Sequence, residues 1–247
     1  MTSEQRFQQD TTESLFGGRL TCRQHLHGYR FSQDPVLLAH FFTPSPNEHI
    51  LDLGAGCGII ALILAYRWPG LSLTALEVQP GLAELAQGNV ARNDLGGRVQ
   101  VVAGDLRKVE GLFPPESFER VVCNPPYHKV GAARPNPEPE QASARHEIMA
   151  NLEEIVKAVE WLLVEGGRAD FVYPVDRAAE LQDTLKANGC APVRLQEIHS
   201  YPHGPCRLVL LEAVKGGVCA LETLPPFYVQ TGPECEYTPA MAKFYAP

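Results

Sequence analysis

Asn124-Pro125-Pro126-Tyr127 is the stretch whose residue types could do chemistry together. It follows Phe118–Cys123, an apolar run with β character broken by Glu119 and Arg120, which predicts a strand ending at Asn124. Two consecutive prolines cannot extend a strand as ladder donors, so the chain must leave the sheet there. Each proline also biases the residue before it toward an extended conformation. The product is a stiff turn with an amide side chain at its start and an aromatic ring at its end. An amide oxygen and a backbone carbonyl freed from the ladder are both acceptors. Together they suit a planar amino group, with Tyr127 as the surface on which its ring lies. A plain proline turn after a strand is the bland alternative, and features upstream decide between the two.

Those features begin at His49-Ile50-Leu51-Asp52-Leu53, a buried strand that runs into Gly54-Ala55-Gly56-Cys57-Gly58 and then a helix to about Tyr66. Gly54, Gly56 and Gly58 permit positive φ and close backbone approach to a ligand. The helix start presents unpaired N–H groups to whatever lies over the turn. Strand, glycine turn and helix open a Rossmann-type sheet. The spacing, however, is G-x-G-x-G and not the G-x-G-x-x-G of dinucleotide sites. It resembles motif I of the S-adenosylmethionine-dependent methyltransferases, here Asp52 through Gly58.

The elements around it fit. A second strand from Ser72 ends in Glu77, where an acid can accept hydrogen bonds from ribose hydroxyls. A third, Val99–Ala103, ends in Gly104-Asp105, matching the adenine-side acid of that family. In an open parallel sheet, ligands sit beyond the carboxyl ends of the strands at the switch point. Asp52, Glu77, Asp105 and Asn124 all lie at such ends; one would be noise, four beside a glycine turn are a signal. A helix is expected over 81–92 between the second and third strands.

Ahead of the sheet, residues 1–13 read as a polar arm, short strands flank Gly17-Gly18 as a hairpin, and Asp34-Pro35 opens a helix through Phe42. Arg19, Arg23, Arg30, His25 and His27 fall between Ser14 and Gln33 with no acid among them, a basic stretch that is either solvated or phosphate-facing. Behind Tyr127 comes a long Pro- and Ala-rich loop with Lys129, Arg134, Arg145 and His146, all of which could contact phosphates. A helix is then expected over 152–164, ending at Gly166-Gly167, with a strand over 169–173 and a helix over 176–188. Strands near 193–198 and 207–213 suit an antiparallel pair that finishes the sheet. Residues 232–247 read as a tail.

Composition sets limits. With 247 residues, 45% apolar and 20% charged, the chain is an ordinary globular protein without wholesale disorder. The expected division is an N-terminal extension over 1–46 and a catalytic domain with its tail over 47–247. No apolar run approaches the ~18–20 residues that span a bilayer, and the N-terminus lacks a secretion signal's apolar core, so a cytoplasmic location is the default. The seven cysteines form no C-x-x-C pair and have no neighbouring histidine at zinc-ligand spacing, so they are expected to be reduced and mostly buried. A net charge of -8 is unfavourable for a nucleic-acid partner and predicts strong salt sensitivity for any such binding.

As a whole the chain is similar to the tRNA1(Val) adenine-N6-methyltransferase family. The residues that carry this are Gly28-Tyr29-Arg30-Phe31-Ser32-Gln33-Asp34 with Leu37-Leu38-Ala39, Asp52 to Gly58, Asn124 to Tyr127, Ala144-Arg145-His146-Glu147 and Glu236-Tyr237-Thr238. The resemblance implies an α/β, Rossmann-like class I methyltransferase fold, with a mostly parallel seven-stranded sheet, an antiparallel terminal strand and a short N-terminal extension. It implies S-adenosylmethionine as cofactor, bound by Asp52, Gly54, Gly56, Gly58, Glu77, Asp105 and Asn124. It implies catalysis by Asn124, Pro125, Pro126 and Tyr127 on an adenine of RNA, most simply tRNA. Tyr29, Phe31, Lys129, Arg145 and His146 are candidate substrate contacts, Tyr29 and Phe31 being equally readable as core aromatics. No metal and no membrane enter this scheme, and a monomer is favoured. Two alternatives stay open: methylation of a protein glutamine side chain, as in release-factor methyltransferases, and an inactive cofactor-binding protein that interacts with RNA.

Overall fold

The computed structural model describes residues 10–25, 31–125 and 150–246. Strands β1 (Asp10–Leu15) and β2 (Leu20–His25) form the expected antiparallel hairpin, with Gly17 at φ +63° and Gly18 at +86° making the turn. Residues 1–9 lie outside the described residues; Asp10–Glu13, expected in the polar arm, belong to β1. Cross-strand pairing explains this. Asp10 lies opposite His25, takes its Nδ1 at 2.9 Å and also pairs with the Arg23 guanidinium. Glu13 accepts from Gln24 Nε2 at 3.3 Å. Asp10 thus engages two of the five basic residues of the stretch read as either solvated or phosphate-facing.

Next come α1 (Asp34–Phe41), β3 (His49–Leu53), α2 (Ile59–Arg67), β4 (Ser72–Glu77), α3 (Pro80–Arg92), β5 (Val99–Ala103) and β6 (Phe118–Cys123). After these follow α4 (Leu152–Leu162), β7 (Leu163–Pro174), α5 (Ala178–Ala187), β8 (Cys190–His199), β9 (Cys206–Lys215), β10 (Glu222–Tyr228) and α6 (Pro239–Lys243). Strands β3 to β10 build one sheet in the order β10-β8-β9-β7-β6-β3-β4-β5. From β7 to β5 all pairings are parallel, while β9 runs antiparallel to both β7 and β8. The class is the expected α/β one, but the sheet has eight strands and the antiparallel strand lies inside it.

The additional strand, β10, pairs in parallel with β8 at the edge. Pro225 and Pro226 hid it, since prolines argue against a strand. Here the register shifts between Leu224 and Phe227 and carries both prolines past the ladder. The residues beyond it are not a loose tail either. Phe227 stacks on Phe244 at 5.4 Å, Phe244 on His40 of α1 at 4.1 Å, and Tyr245 O accepts from Phe16 N at 3.1 Å.

Helix α4 stops at Leu162, sooner than expected, and β7 starts at once. Its start is fixed by a capping box in which Asn151 accepts from Glu154 N at 3.0 Å and Glu154 accepts from Asn151 N at 2.8 Å. Gly166-Gly167 form no helix end; they sit in β7 where its register with β6 jumps, Gly166 at φ +74°.

Side-chain alternation places a layer on each face of the sheet. Ile50, Val122, Val172 and Leu210 pack with α1, α2 and α3, whereas Leu51, Val121, Phe171 and Leu211 pack with α4 and α5. Seven consecutive residues of α2, Ile59 to Ala65, are buried, which is why its sequence shows no polar face. A charged chain crosses the first layer. Arg120 Nε donates to Glu48 at 2.7 Å, its Nη1 pairs with Asp170, and its guanidinium lies 4.2 Å over the Phe42 ring. All three charged residues are buried. Among the described residues no helix is long and apolar enough to cross a membrane.

Candidate functional site

Register decides what meets at the carboxyl ends of the parallel strands. Leu53 of β3 is paired with Leu76 of β4 on one side and Cys123 of β6 on the other. Gly54, Glu77 and Asn124 are each the next residue on their strands, so they emerge side by side on one edge. Glu77 in turn pairs with Ala103 of β5, two residues before Asp105. The glycine turn and the start of the proline turn therefore leave adjacent strands at one level.

The turn itself is built by backbone conformation that only glycine adopts freely. Gly54, Gly56 and Gly58 have φ of +78°, +57° and +83°. Gly54 N and Ala55 N both donate to Leu76 O, at 2.9 and 3.0 Å, which ties the turn to the end of β4. A Cβ at Gly58 would stand 3.2 Å from the Ala86 Cβ of α3, so helix packing as well as φ demands glycine there.

Glu77 braces the turn from beneath. One carboxylate oxygen accepts from Gly56 N at 2.9 Å and the other from Gln79 N at 2.8 Å. Each oxygen keeps a lone pair for a further donor such as a hydroxyl. Asp52 is 1% exposed; Oδ2 accepts from Ala61 N at 3.2 Å, and Oδ1 has no hydrogen-bond partner among the described residues. Burial pushes its carboxyl up to about 7, against the pull of the Ala61 N–H and with a further push from Glu77. A buried acceptor lacking a donor, under a turn of positive-φ glycines, fits a cofactor that brings an ammonium or sulfonium charge.

Asp105 is already engaged. It caps the turn that follows by accepting from Arg107 N at 2.9 Å, and it holds the Arg107 guanidinium at 3.0 and 2.7 Å. Arg107 keeps this carboxyl below the usual carboxylate range. An adenine-side role for Asp105 would thus be shared with Arg107, a residue the sequence did not single out.

Asn124 and Pro125 lie at the exit of β6, the first half-buried and the second buried. Pro126, Tyr127, Tyr29, Lys129, Arg145 and His146 lie outside the described residues. Phe31 lines a cleft of about 470 Å³ together with Gln24, Gln33, Asp34, Tyr237 and Tyr245. Within it Gln33 Nε2 donates to the Tyr237 hydroxyl at 2.8 Å, and Tyr237 stacks on Tyr245 at 5.6 Å. Two segments that carry the sequence resemblance thus touch across the chain. Phe31 also packs against the core layer of α1 to α3, as its reading as a core aromatic expects.

Residues the sequence reading passed over hold the hairpin against this turn. Asn89 of α3 accepts from Arg23 N at 2.8 Å and donates to Arg23 O at 2.9 Å and Cys57 O at 3.0 Å. Asn93, one helical turn on, accepts from Thr21 N at 2.9 Å and donates to Thr21 O at 2.7 Å. Two side-chain amides thus stand in for a neighbouring strand. The available signal was an asparagine on the buried stripe of a helix, between Ala86 and Val90, where a polar group must be satisfied.

The family described as methyltransferase small domain matches residues 32–187. The tRNA1(Val) (adenine(37)-N6)-methyltransferase of Porphyromonas gingivalis is 31% identical over 74% of this chain and 73% of its own length. Its namesake in Vibrio campbellii is 28% identical over 88% of this chain and 89% of its own. Among solved structures, a predicted O-methyltransferase from Agrobacterium tumefaciens superposes with a TM-score of 0.71 at 22% identity, covering 86% of this chain and 95% of that one. The geranyl diphosphate C-methyltransferase of Streptomyces coelicolor A3(2), in complex with S-adenosyl-L-homocysteine, gives 0.53 at 13% identity over 74% and 78% of the two chains. These two structures establish the shared fold, and the sequence relatives narrow it. The chain belongs to the methyltransferase small domain family and, within it, groups with the tRNA1(Val) (adenine-N6)-methyltransferases.

Proposed function

We infer that this protein is an S-adenosylmethionine-dependent methyltransferase that acts on the N6 amino group of an adenine in tRNA. What carries the reading is the pairing of Leu53 with Cys123, which brings the glycine turn and Asn124 to one edge of the sheet. S-adenosylmethionine, when bound, supplies a methyl group already activated on a sulfonium. Asp52, Glu77 and the glycine turn are the residues to hold it, with Asp105 and Arg107 toward its adenine.

The chain's other task is to prepare the acceptor. An exocyclic amino group is a poor nucleophile because its lone pair is delocalised into the ring. Hydrogen bonds from that group to the Asn124 side-chain oxygen and the Pro125 carbonyl favour a pyramidal nitrogen with a localised pair. Tyr127 stacks on the base, worth ~1–3 kcal/mol, and Pro126 keeps the turn stiff. Positioning then supplies much of the rate. The target base must be turned out of its stack to arrive. Lys129, Arg145 and His146 are the residues to meet its phosphates, with Tyr29 and Phe31 at the pocket wall.

The test is methyl transfer from labelled cofactor into total tRNA, ribosomal RNA and protein, followed by nucleoside analysis. Label in tRNA as N6-methyladenosine is the expected result. Label only in protein would move the substrate to a glutamine side chain, and no label anywhere would leave a cofactor-binding protein.

Asp52 adds a pH dependence. Its folded carboxyl is raised to about 7, so in the free protein it binds a proton more tightly than an exposed carboxylate does. A cationic cofactor favours the ionised form, so binding releases that proton. Affinity should therefore rise with pH below about 7, by up to tenfold per unit, and level off above it. Calorimetric titration with cofactor between about pH 5.5 and 7.5 measures the slope. Asp52→Asn should flatten it.

A further inference from the structure

We propose that the β8–β9 hairpin carries a metal site, formed by Glu197, His199 and Cys206, that takes a single borderline cation of the zinc type. One ligand atom from each residue lies within 4.8 Å of the other two. A tetrahedral ion with bonds of ~2.0–2.3 Å holds its ligands about 3.3–3.8 Å apart. Small side-chain rotations therefore close the set, and the backbone need not move.

The hairpin register builds it. His199 stands opposite Cys206, and the ladder skips Arg207, since Ile198 pairs with Leu208. Such a bulge re-aims side chains at a strand end. Glu197, two residues before His199, shares its face of the strand. Spacing rules do not reveal this set, because six residues, 200–205, separate His199 from Cys206.

The two nitrogens of His199 have different surroundings. Nδ1 lies 3.0 Å from the Gly204 carbonyl, which only accepts, so Nδ1 carries a proton. In the neutral ring Nε2 then holds a lone pair, and it faces Glu197 Oε2 at 3.2 Å. The nitrogen turned away from the Gly204 carbonyl is thus the one on the side of the other two ligand atoms. A metal ion there also engages the Cys206 sulfur, which in its absence donates to Leu208 O at 3.5 Å. A backbone carbonyl on the remote nitrogen is also how ligand histidines are commonly oriented.

An imidazole, a thiolate and one carboxylate suit zinc better than calcium or magnesium. The Glu197 side chain is 48% exposed and that of His199 20%, so an ion enters from solvent and keeps water in its fourth position. The loop needs no ordering by the metal, since Ser200 N already donates to Pro205 O at 3.2 Å and Gly204 N to Tyr201 O at 2.8 Å. Strands β7 and β6 separate β9 from β3, so the ion takes no part in methyl transfer; it staples the hairpin beside the edge strand β10.

Titration of chelator-treated protein with Co²⁺ alone tests this, because thiolate-bound cobalt has a charge-transfer absorption that carboxylate or imidazole sites lack. One equivalent should produce the band, and Zn²⁺ should displace it. Cys206→Ser should abolish the band, and His199→Ala and Glu197→Gln should weaken Zn²⁺ by at least about tenfold. Methyl transfer should be unchanged in all three. The exposed Cys219 and Cys235 serve as controls, and their serine double variant should bind as the parent does. Absence of the band in the parent, its survival in Cys206→Ser, or its loss in the control variant would each overturn the site.

Discussion

Asn124→Ala is expected to lower methyl transfer by about 10²–10³-fold, the range for deleting one polar group aimed at the reacting centre. Cofactor affinity should fall far less, because Asp52, Glu77 and the glycine turn stay in place. The asymmetry follows from the sheet. Asn124 sits one residue beyond the Cys123–Leu53 pair, on the strand next to β3, so its removal takes an acceptor from the cleft and leaves the glycines of the turn in the chain. Stopped single-turnover assays with saturating cofactor, alongside calorimetric titration, separate the two effects. A variant that transfers methyl groups at the parent rate would remove Asn124 from the reaction, and one that no longer binds cofactor would make it a binding residue.

The second large effect is on stability. Arg120→Ala should destabilise the protein by about 3–5 kcal/mol, because it leaves Glu48 and Asp170 buried without their cation. For a chain of this size that is roughly 6–20 °C in Tm. The pH dependence has a definite sign. Burial already holds the Asp170 carboxyl above the usual carboxylate range, against the pull of Arg120. Without the arginine it rises further, so the variant takes up a proton more readily. Its deficit should then be largest above neutral pH and shrink as the solution is acidified and Asp170 is neutralised. Melting curves of parent and variant over that range measure it. Equal deficits at all pH values would assign the loss to packing against Phe42 and not to charge.

Much of this was legible in the sequence because local chemistry fixed it. Glycines at 54, 56 and 58 can be read for positive φ without knowing the fold, and Pro125-Pro126 for the end of a strand. Period-two and apolar runs located the strands from β3 to β9, since a buried strand must be apolar wherever it goes. Charge was legible only in part. Arg23 and His25 lie in a stretch with no acid of its own, and only strand pairing brings Asp10 into contact with both.

What tertiary structure alone decided were relations between residues far apart in the chain. The strand β10 exists despite Pro225 and Pro226 because an edge tolerates missing donors, and edge position belongs to the sheet as a whole. Asn89 and Asn93 hold β2 because helix α3 lies beside it, and nothing in either segment announces the other. Tyr237 meets Gln33, Arg120 lies between Glu48 and Asp170, and His199 meets Cys206 across a turn. Residue type determines what a group can accept, donate or ligate, but its partner is set by strand order and register.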